Sequence, residues 1–401
     1  VVPTNSQIGQ YYTWQTRTVE VSGNLFQIVS KPGVTGYDRP DIAALLLAEN
    51  VEVGQTDLVV SFHSGDGLIG VVAASDASQG QVVVADPRVP SFEACQRSLT
   101  ANDLTSGRAV LSDCLSHISI DRPADVVTAR LPKGKHRALT CIWDGFNALR
   151  PGGKFYLAGG NKEGIKTYLR HTESLFGNVA VVAYRKGHRI GIAVKGDPPA
   201  SLPEDFTSDW LIHDRFHEYS VQVGDRAHTV FSRPGVFSWD RLDPGTRMLI
   251  NSLEIDPSHT VLDLGCGYGI VGIECSYLAP QGKVYMVDAD ITAIEASRRT
   301  AQANRVTNCE VIPSDCGSQV EHIQFDIVAT NPPFHQGTAT ELQIAKQFIR
   351  DAANLLKPDG RLYLVANRFL PYKGDVEQSF DSTTTVAEDT RYKVLMAVRY
   401  A

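Results

Sequence analysis

Short apolar runs that stop on glycine or aspartate alternate along this chain with longer stretches whose apolar residues recur every three or four positions. "TVLDLGCG" (260–267) and "KVYMVDAD" (283–290) are of the first kind, and "ITAIEASRRTAQANR" (291–305) is of the second. "FDIVATNPP" (325–333) and "GRLYLVAN" (360–367) are further short runs. The short runs read as buried strands and the longer spacing as an amphipathic helix. Their alternation predicts a mostly parallel sheet covered by helices, an α/β fold. The closing "RYKVLMAVRYA" (391–401) reads as one more strand, antiparallel at the end of the sheet.

The pattern occurs twice. "DRPD" (38–41) returns as "DRLD" (240–243), 202 positions later. Without a gap, the same offset pairs "QGQVVVAD" (79–86) with "QGKVYMVD" (281–288) and "EACQRSLTAN" (93–102) with "EASRRTAQAN" (295–304). It also pairs "SDC" (112–114) with "SDC" (314–316), and "LRPGGKFYLAGGN" (149–161) echoes "LKPDGRLYLVANR" (356–368) at a slightly larger offset. A period this long is a tandem duplication and not a solenoid. Two copies are expected, at 1–197 and 198–401, joined through the proline-rich "KGDPPASLPEDFTSD" (195–209).

Composition narrows the class. A chain of 401 residues, 43% apolar and 21% charged, suits two globular domains and excludes general disorder. No apolar run reaches a membrane span. The opening "VVPTNSQIGQYY" lacks the basic and apolar segments of a signal peptide. Seven cysteines without a C-x-x-C pair argue against a disulfide framework and against a metal site, and a cytoplasmic setting is expected. A net charge of −7 excludes a protein that simply coats nucleic acid, so RNA contact requires a local basic patch.

Candidate chemistry concentrates in the second copy. In "VLDLGCGYGIVG" (261–272), Gly265, Gly267 and Gly269 let the backbone turn sharply and approach a ligand. Such a turn is shared by dinucleotide enzymes and by other cofactor sites, and alone it does not choose between them. Asp288 ends the next strand, where an acid can accept from ribose hydroxyls, and Asp315 follows the third, within reach of an adenine amine. At the fourth strand end stands "NPPF" (331–334). Proline holds the preceding Asn331 extended, and Pro332 and Pro333 donate no N–H. The corner is therefore rich in acceptors, namely the Asn331 side-chain oxygen and the Pro332 carbonyl. Two adjacent acceptors suit an –NH2 group on a planar ring, and Phe334 offers a stacking face worth about 1–3 kcal/mol. His335 is expected to be a solvated loop residue, and "NRF" (367–369) divides between substrate lining and packing.

This combination resembles the class I S-adenosylmethionine-dependent methyltransferases. It is most similar to the ribosomal RNA small subunit methyltransferase C family and its large-subunit relative, which methylate guanine N2. "GVFSWDRLDPGTRMLI" (235–250), "VLDLGCGYG", "NPPFHQG" and "ANRFLPY" (366–372) carry the likeness, as does the duplication. The resemblance implies two tandem Rossmann-like domains, each mostly parallel with an antiparallel strand at its C-terminal end. It implies S-adenosylmethionine as cofactor, surrounded by Asp263, Gly265, Cys266 and Gly267, with Asp288 and Ala289 at the ribose. Ser314, Asp315 and Cys316 would lie at the adenine, with Asn331 nearby and Phe237, Asp243 and Thr246 closing over. Asn331, Pro332, Pro333 and Phe334 would hold a guanine amine of ribosomal RNA or of a ribosomal subunit. A methyltransferase acting on protein glutamine or adenine N6 remains open, as does a non-catalytic RNA-binding assembly protein.

The first copy has lost these features. Ser61 stands where the second copy has Asp263, His63 for Gly265, Arg130 for Asn331 and Lys133 for Phe334, while Asp86 and Asp113 survive. No catalysis is expected of it. "RLPKGKHR" (130–137) instead offers Arg130, Lys133, Lys135 and Arg137 as a basic patch for RNA phosphates.

Overall fold

The computed structural model describes residues 11–333, 339–370 and 372–400. The chain divides into two compact units, one spanning Tyr12–Arg215 and the other Phe216 onward with Tyr11. The expected boundary at 197/198 therefore moves toward the C-terminus. Beyond the prolines, Phe206 and Leu211 sink into the core of the first unit, and the His213 imidazole meets the Asp144 carboxylate at 2.7 Å.

In the first unit a hairpin, β1 (Gln15–Val21) and β2 (Asn24–Ser30), precedes the main sheet. That sheet comprises β3 (Leu58–Phe62), β4 (Gln81–Asp86), β5 (Gly107–Leu111), β6 (Ala124–Arg130), β7 (Leu149–Gly160), β8 (Ala180–Arg185) and β9 (His188–Val194). Its order is β5-β4-β3-β6-β7-β9-β8. The second unit repeats the plan. Its hairpin is β10 (His217–Val223) and β11 (Arg226–Ser232). Its sheet holds β12 (Thr260–Leu264), β13 (Lys283–Asp288), β14 (Cys309–Pro313), β15 (Phe325–Thr330), β16 (Leu356–Asn367), β17 (Ser382–Glu388) and β18 (Tyr392–Val398), ordered β14-β13-β12-β15-β16-β18-β17. The central strands pair in parallel, and β9 and β18 run antiparallel to β7 and β16, as the pattern at the chain's end predicted.

The central strands are apolar on both faces because helices cover both, as a parallel sheet requires. β3 is buried throughout, as is β12 from Val261 to Leu264. The hairpins are fastened by the helix carrying the repeated "AN". Asn102 accepts from Gln27 N (2.9 Å) and donates to Gln27 O (2.7 Å). Asn304 accepts from Thr229 N (3.1 Å) and donates to Thr229 O (2.7 Å). These asparagines recur because each satisfies a free strand edge, and an unpaired backbone edge is costly once buried.

Candidate active site

Strand order reverses between β12 and β15, so the loops leaving their C-terminal ends diverge and open a crevice, the usual ligand site of such sheets. Register fixes what faces it. Leu264 pairs with Thr330, and the Thr330 hydroxyl donates to the Leu264 carbonyl at 2.7 Å. The glycine loop and Asn331 thus begin from adjacent positions on neighbouring strands, which lie about 4.8 Å apart.

Gly265, Gly267 and Gly269 all adopt positive φ (80°, 56° and 87°). At Gly267 an added Cβ would meet nothing within 4 Å, so the loop opens toward free space there. Gly269 is different, since its Cβ would lie 2.9 Å from Ser297 Oγ and 3.2 Å from its Cα, a close helix approach. Asp263 lies beneath the loop, 2% exposed, and accepts from Gly272 N at 2.8 Å. Burial pushes its carboxyl up to about 7, against the Gly272 bond and with Asp288 adding to the rise. Cys266 packs its thiol 3.3 Å from Ser297 Oγ, and burial raises its pKa further.

Asp288 accepts from Gly267 N (3.0 Å) with one oxygen and from Asp290 N (2.9 Å) with the other. Those bonds shape the loop, and a carboxylate has about four acceptor positions in all. Ala289 is half-buried beside it. After β14, Ser314 ties its hydroxyl to the Cys316 carbonyl (2.7 Å), and Cys316 adopts φ 49°. Asp315 is 3% exposed and accepts from the Tyr11 hydroxyl at 2.9 Å. Sequence reasoning had no signal for Tyr11, which lies 304 positions away.

The Asn331 corner is built from behind. Its Nδ2 donates to Thr246 Oγ1 at 2.9 Å and to Asp243 Oδ2 at 3.4 Å. Asp243 is the N-cap of the helix Pro244–Asn251, accepting from Thr246 N (2.8 Å) and from the Thr246 hydroxyl (3.3 Å), while Tyr392 donates to its other oxygen at 3.5 Å. A carboxylate offers only acceptors, so the amide must turn its nitrogen toward Asp243 and its oxygen away. Asp243 and Thr246, expected from the resemblance to close over the cofactor, here hold the side chain of Asn331. Phe237 is 41% exposed. Pro332 is buried and Pro333 exposed; Phe334 and His335 lie outside the described residues.

In the first unit the same places are filled. Arg130 extends to Asp41 (3.4 Å) and Glu163 (2.6 Å), and Asp41 is the repeat counterpart of Asp243. Arg137 pairs with Asp113 at 3.3 Å. The expected row of four cations is therefore corrected. Arg130 and Arg137 turn inward to carboxylates, because an unpaired guanidinium is costly to bury, whereas Lys133 is exposed and Lys135 is 62% exposed beside Asp205.

With this geometry in place, the Methyltransferase small domain family matches residues 25–191 and 227–396. The chain is 32% identical over 303 residues to the ribosomal RNA small subunit methyltransferase C of Pseudoalteromonas atlantica, covering 76% of this chain and 85% of that one. It is 27% identical over 388 residues to the ribosomal RNA large subunit methyltransferase G of Shewanella amazonensis, covering 95% and 96%. A solved structure, the T. thermophilus 16S rRNA N2 G1207 methyltransferase in complex with AdoMet and guanosine, superimposes with a TM-score of 0.81 at 27% identity, covering 98% and 99%. Among the described residues, no helix is long and apolar enough to cross a membrane.

Proposed function

The chain belongs to the methyltransferase small domain family, and on that premise we propose that its C-terminal unit methylates the exocyclic N2 amine of a guanine in ribosomal RNA. The observation that carries this reading is the anchored amide of Asn331, whose oxygen is directed away from Asp243 and Thr246 on the strand beside the glycine loop.

The site fits S-adenosylmethionine. Carboxylates stand at three successive strand ends (Asp263, Asp288 and Asp315), and the loop is open above Gly267. When bound, the cofactor supplies an electrophilic methyl on a positively charged sulfur. Asp263 and the Gly265–Gly267 loop would hold its methionine end, Asp288 the ribose hydroxyls and Asp315 the adenine amine. Asn331 Oδ1 and the Pro332 carbonyl accept from the two N–H groups of the guanine amine. Those two bonds would draw the nitrogen lone pair out of conjugation with the ring and leave it nucleophilic. Positioning then carries most of the rate, and the displaced proton passes to water without a strong base. The base must first leave its stack, at a cost of a few kcal/mol.

Lys133 and Lys135 are the phosphate contacts of the first unit in this reading, without Arg130 and Arg137. All seven cysteines are free thiols, which suits work in the cytoplasm. The test is methyl-labelled cofactor incubated with naked ribosomal RNA, small subunits and large subunits, followed by nucleoside analysis. Label in N2-methylguanosine from one arm is expected and identifies the substrate. Label only in protein glutamine or N6-methyladenosine, or in nothing, overturns the proposal.

A further inference from the structure

The inactive copy holds a donor cluster that methyl transfer does not use. His63 Nε2 lies 3.4 Å from Cys114 Sγ, and the donor atoms of His63, Cys114 and Cys141 all fall within 4.8 Å of one another. Asp113 Oδ1 is 3.6 Å from the same imidazole nitrogen. Cys141 is fully buried and Cys114 is 1% exposed. Two thiols and an imidazole are ligand types of zinc. With metal–ligand distances of about 2.0–2.3 Å, the edges of a zinc tetrahedron are about 3.3–3.8 Å, and the 3.4 Å between His63 Nε2 and Cys114 Sγ sits in that range.

The second copy shows that the cluster replaces something. His63 stands for Gly265, Cys114 for Cys316 and Cys141 for Phe348. The helix Lys135–Ala148 aligns with Ala339–Leu355, and Asp144 and Asp351 accept equivalent backbone bonds from Leu115 and Gly317 (2.9 Å each). In the second copy a Cβ at Gly265 would lie 2.8 Å from the Phe348 ring, so no larger residue fits there. In the first copy the ring is a small cysteine and the glycine is a histidine, still at a positive φ of 55°. Ring and glycine have been exchanged together for a thiol and an imidazole, at a backbone position that favours glycine.

We propose that His63, Cys114 and Cys141 form a zinc site in the N-terminal unit. It occupies the place of the glycine loop's cofactor contact and pins the helix Lys135–Ala148 to the loop after β3. The donors come from three separate elements, which is why the absence of a C-x-x-C pair argued against a metal.

The test uses the full chain without a histidine tag, reduced and freed of metal, titrated with cobalt(II) and then zinc. One equivalent of cobalt should give a tetrahedral visible envelope and a thiolate charge-transfer band, and one equivalent of zinc should abolish both. His63→Gly, which installs the residue of the other copy, should weaken retention against a chelator at least about a hundredfold. Cys114→Ser should remove the charge-transfer band, and Cys309→Ser should keep it. His63→Gly should melt with the metal-free wild type, so a folding failure there, read by circular dichroism, counts against the exchange argument. No band in the reduced wild type, an unchanged band in His63→Gly, or five free thiols in denatured, unreduced, metal-free protein (a Cys114–Cys141 disulfide) each overturns the proposal.

Discussion

Thr246→Val isolates the orientation of Asn331 from the binding of the cofactor. Valine keeps the shape and removes the hydroxyl that accepts the 2.9 Å bond from Asn331 Nδ2, leaving that donor only the 3.4 Å contact to Asp243. The helix cap survives, because Asp243 accepts from the backbone N–H of residue 246. A buried hydrogen bond of this kind is worth about 1 kcal/mol net, equal to about a fivefold rate loss if only that stabilisation is forfeited. Losing positional control of the acceptor raises the cost, since about 1 Å of misplacement can reach a hundredfold. The expected fall in kcat/KM for RNA is therefore about tenfold, with cofactor affinity within about twofold and Tm lower by about 2–4 °C. Thr246→Ser, which restores the hydroxyl, should recover most of the loss. The assay is labelled-methyl transfer under single turnover, with calorimetry for the cofactor. If Thr246→Val weakened cofactor binding as much as transfer, the residue would belong to the cofactor lid. Equal rates for valine and serine would refute the reasoning outright.

Other consequences follow from charge. The Asp263 carboxyl is raised to about 7 by burial, so the folded state holds its proton across a window where the unfolded chain, near pH 3.9, has released it. Its contribution to stability is thus full below that lower value and is lost as pH rises toward 7. Urea unfolding of the cofactor-free protein should show this decline, and Asp263→Asn should flatten it. Conversely, affinity for the cationic cofactor should rise through pH 7 in the wild type and stay level in Asp263→Asn. Reversing Lys133 and Lys135 to glutamate should weaken RNA binding and lower the salt slope by about 2, read by filter binding across salt concentrations. An unchanged slope removes these lysines from the interface.

The alternating pattern made the mostly parallel sheet and its antiparallel strand legible, because hydrophobic period is a local property. The repeat was less helpful for Asp288. Asp86 in the first copy accepts from Gly65 N (3.1 Å) and Arg88 N (3.1 Å) just as Asp288 accepts from Gly267 and Asp290. Both acids are kept by their turns, whatever else Asp288 does. The contact of Thr246 with Asn331 spans 85 positions, and the resemblance placed Thr246 over the cofactor instead. A signal was present, since Ala44 stands for Thr246 in the copy where Arg130 stands for Asn331, so acceptor and donor are exchanged together. The inward turn of Arg130 and Arg137 was not legible, because their carboxylate partners Asp41, Glu163 and Asp113 are distant in sequence.

The most direct measurement is single-turnover methyl transfer by Asn331→Ala beside its calorimetric affinity for S-adenosylmethionine. The account predicts transfer reduced at least about a thousandfold, the upper range for one preorganised group, while the cofactor binds within about twofold of wild type. Transfer above a tenth of the wild-type rate would contradict it.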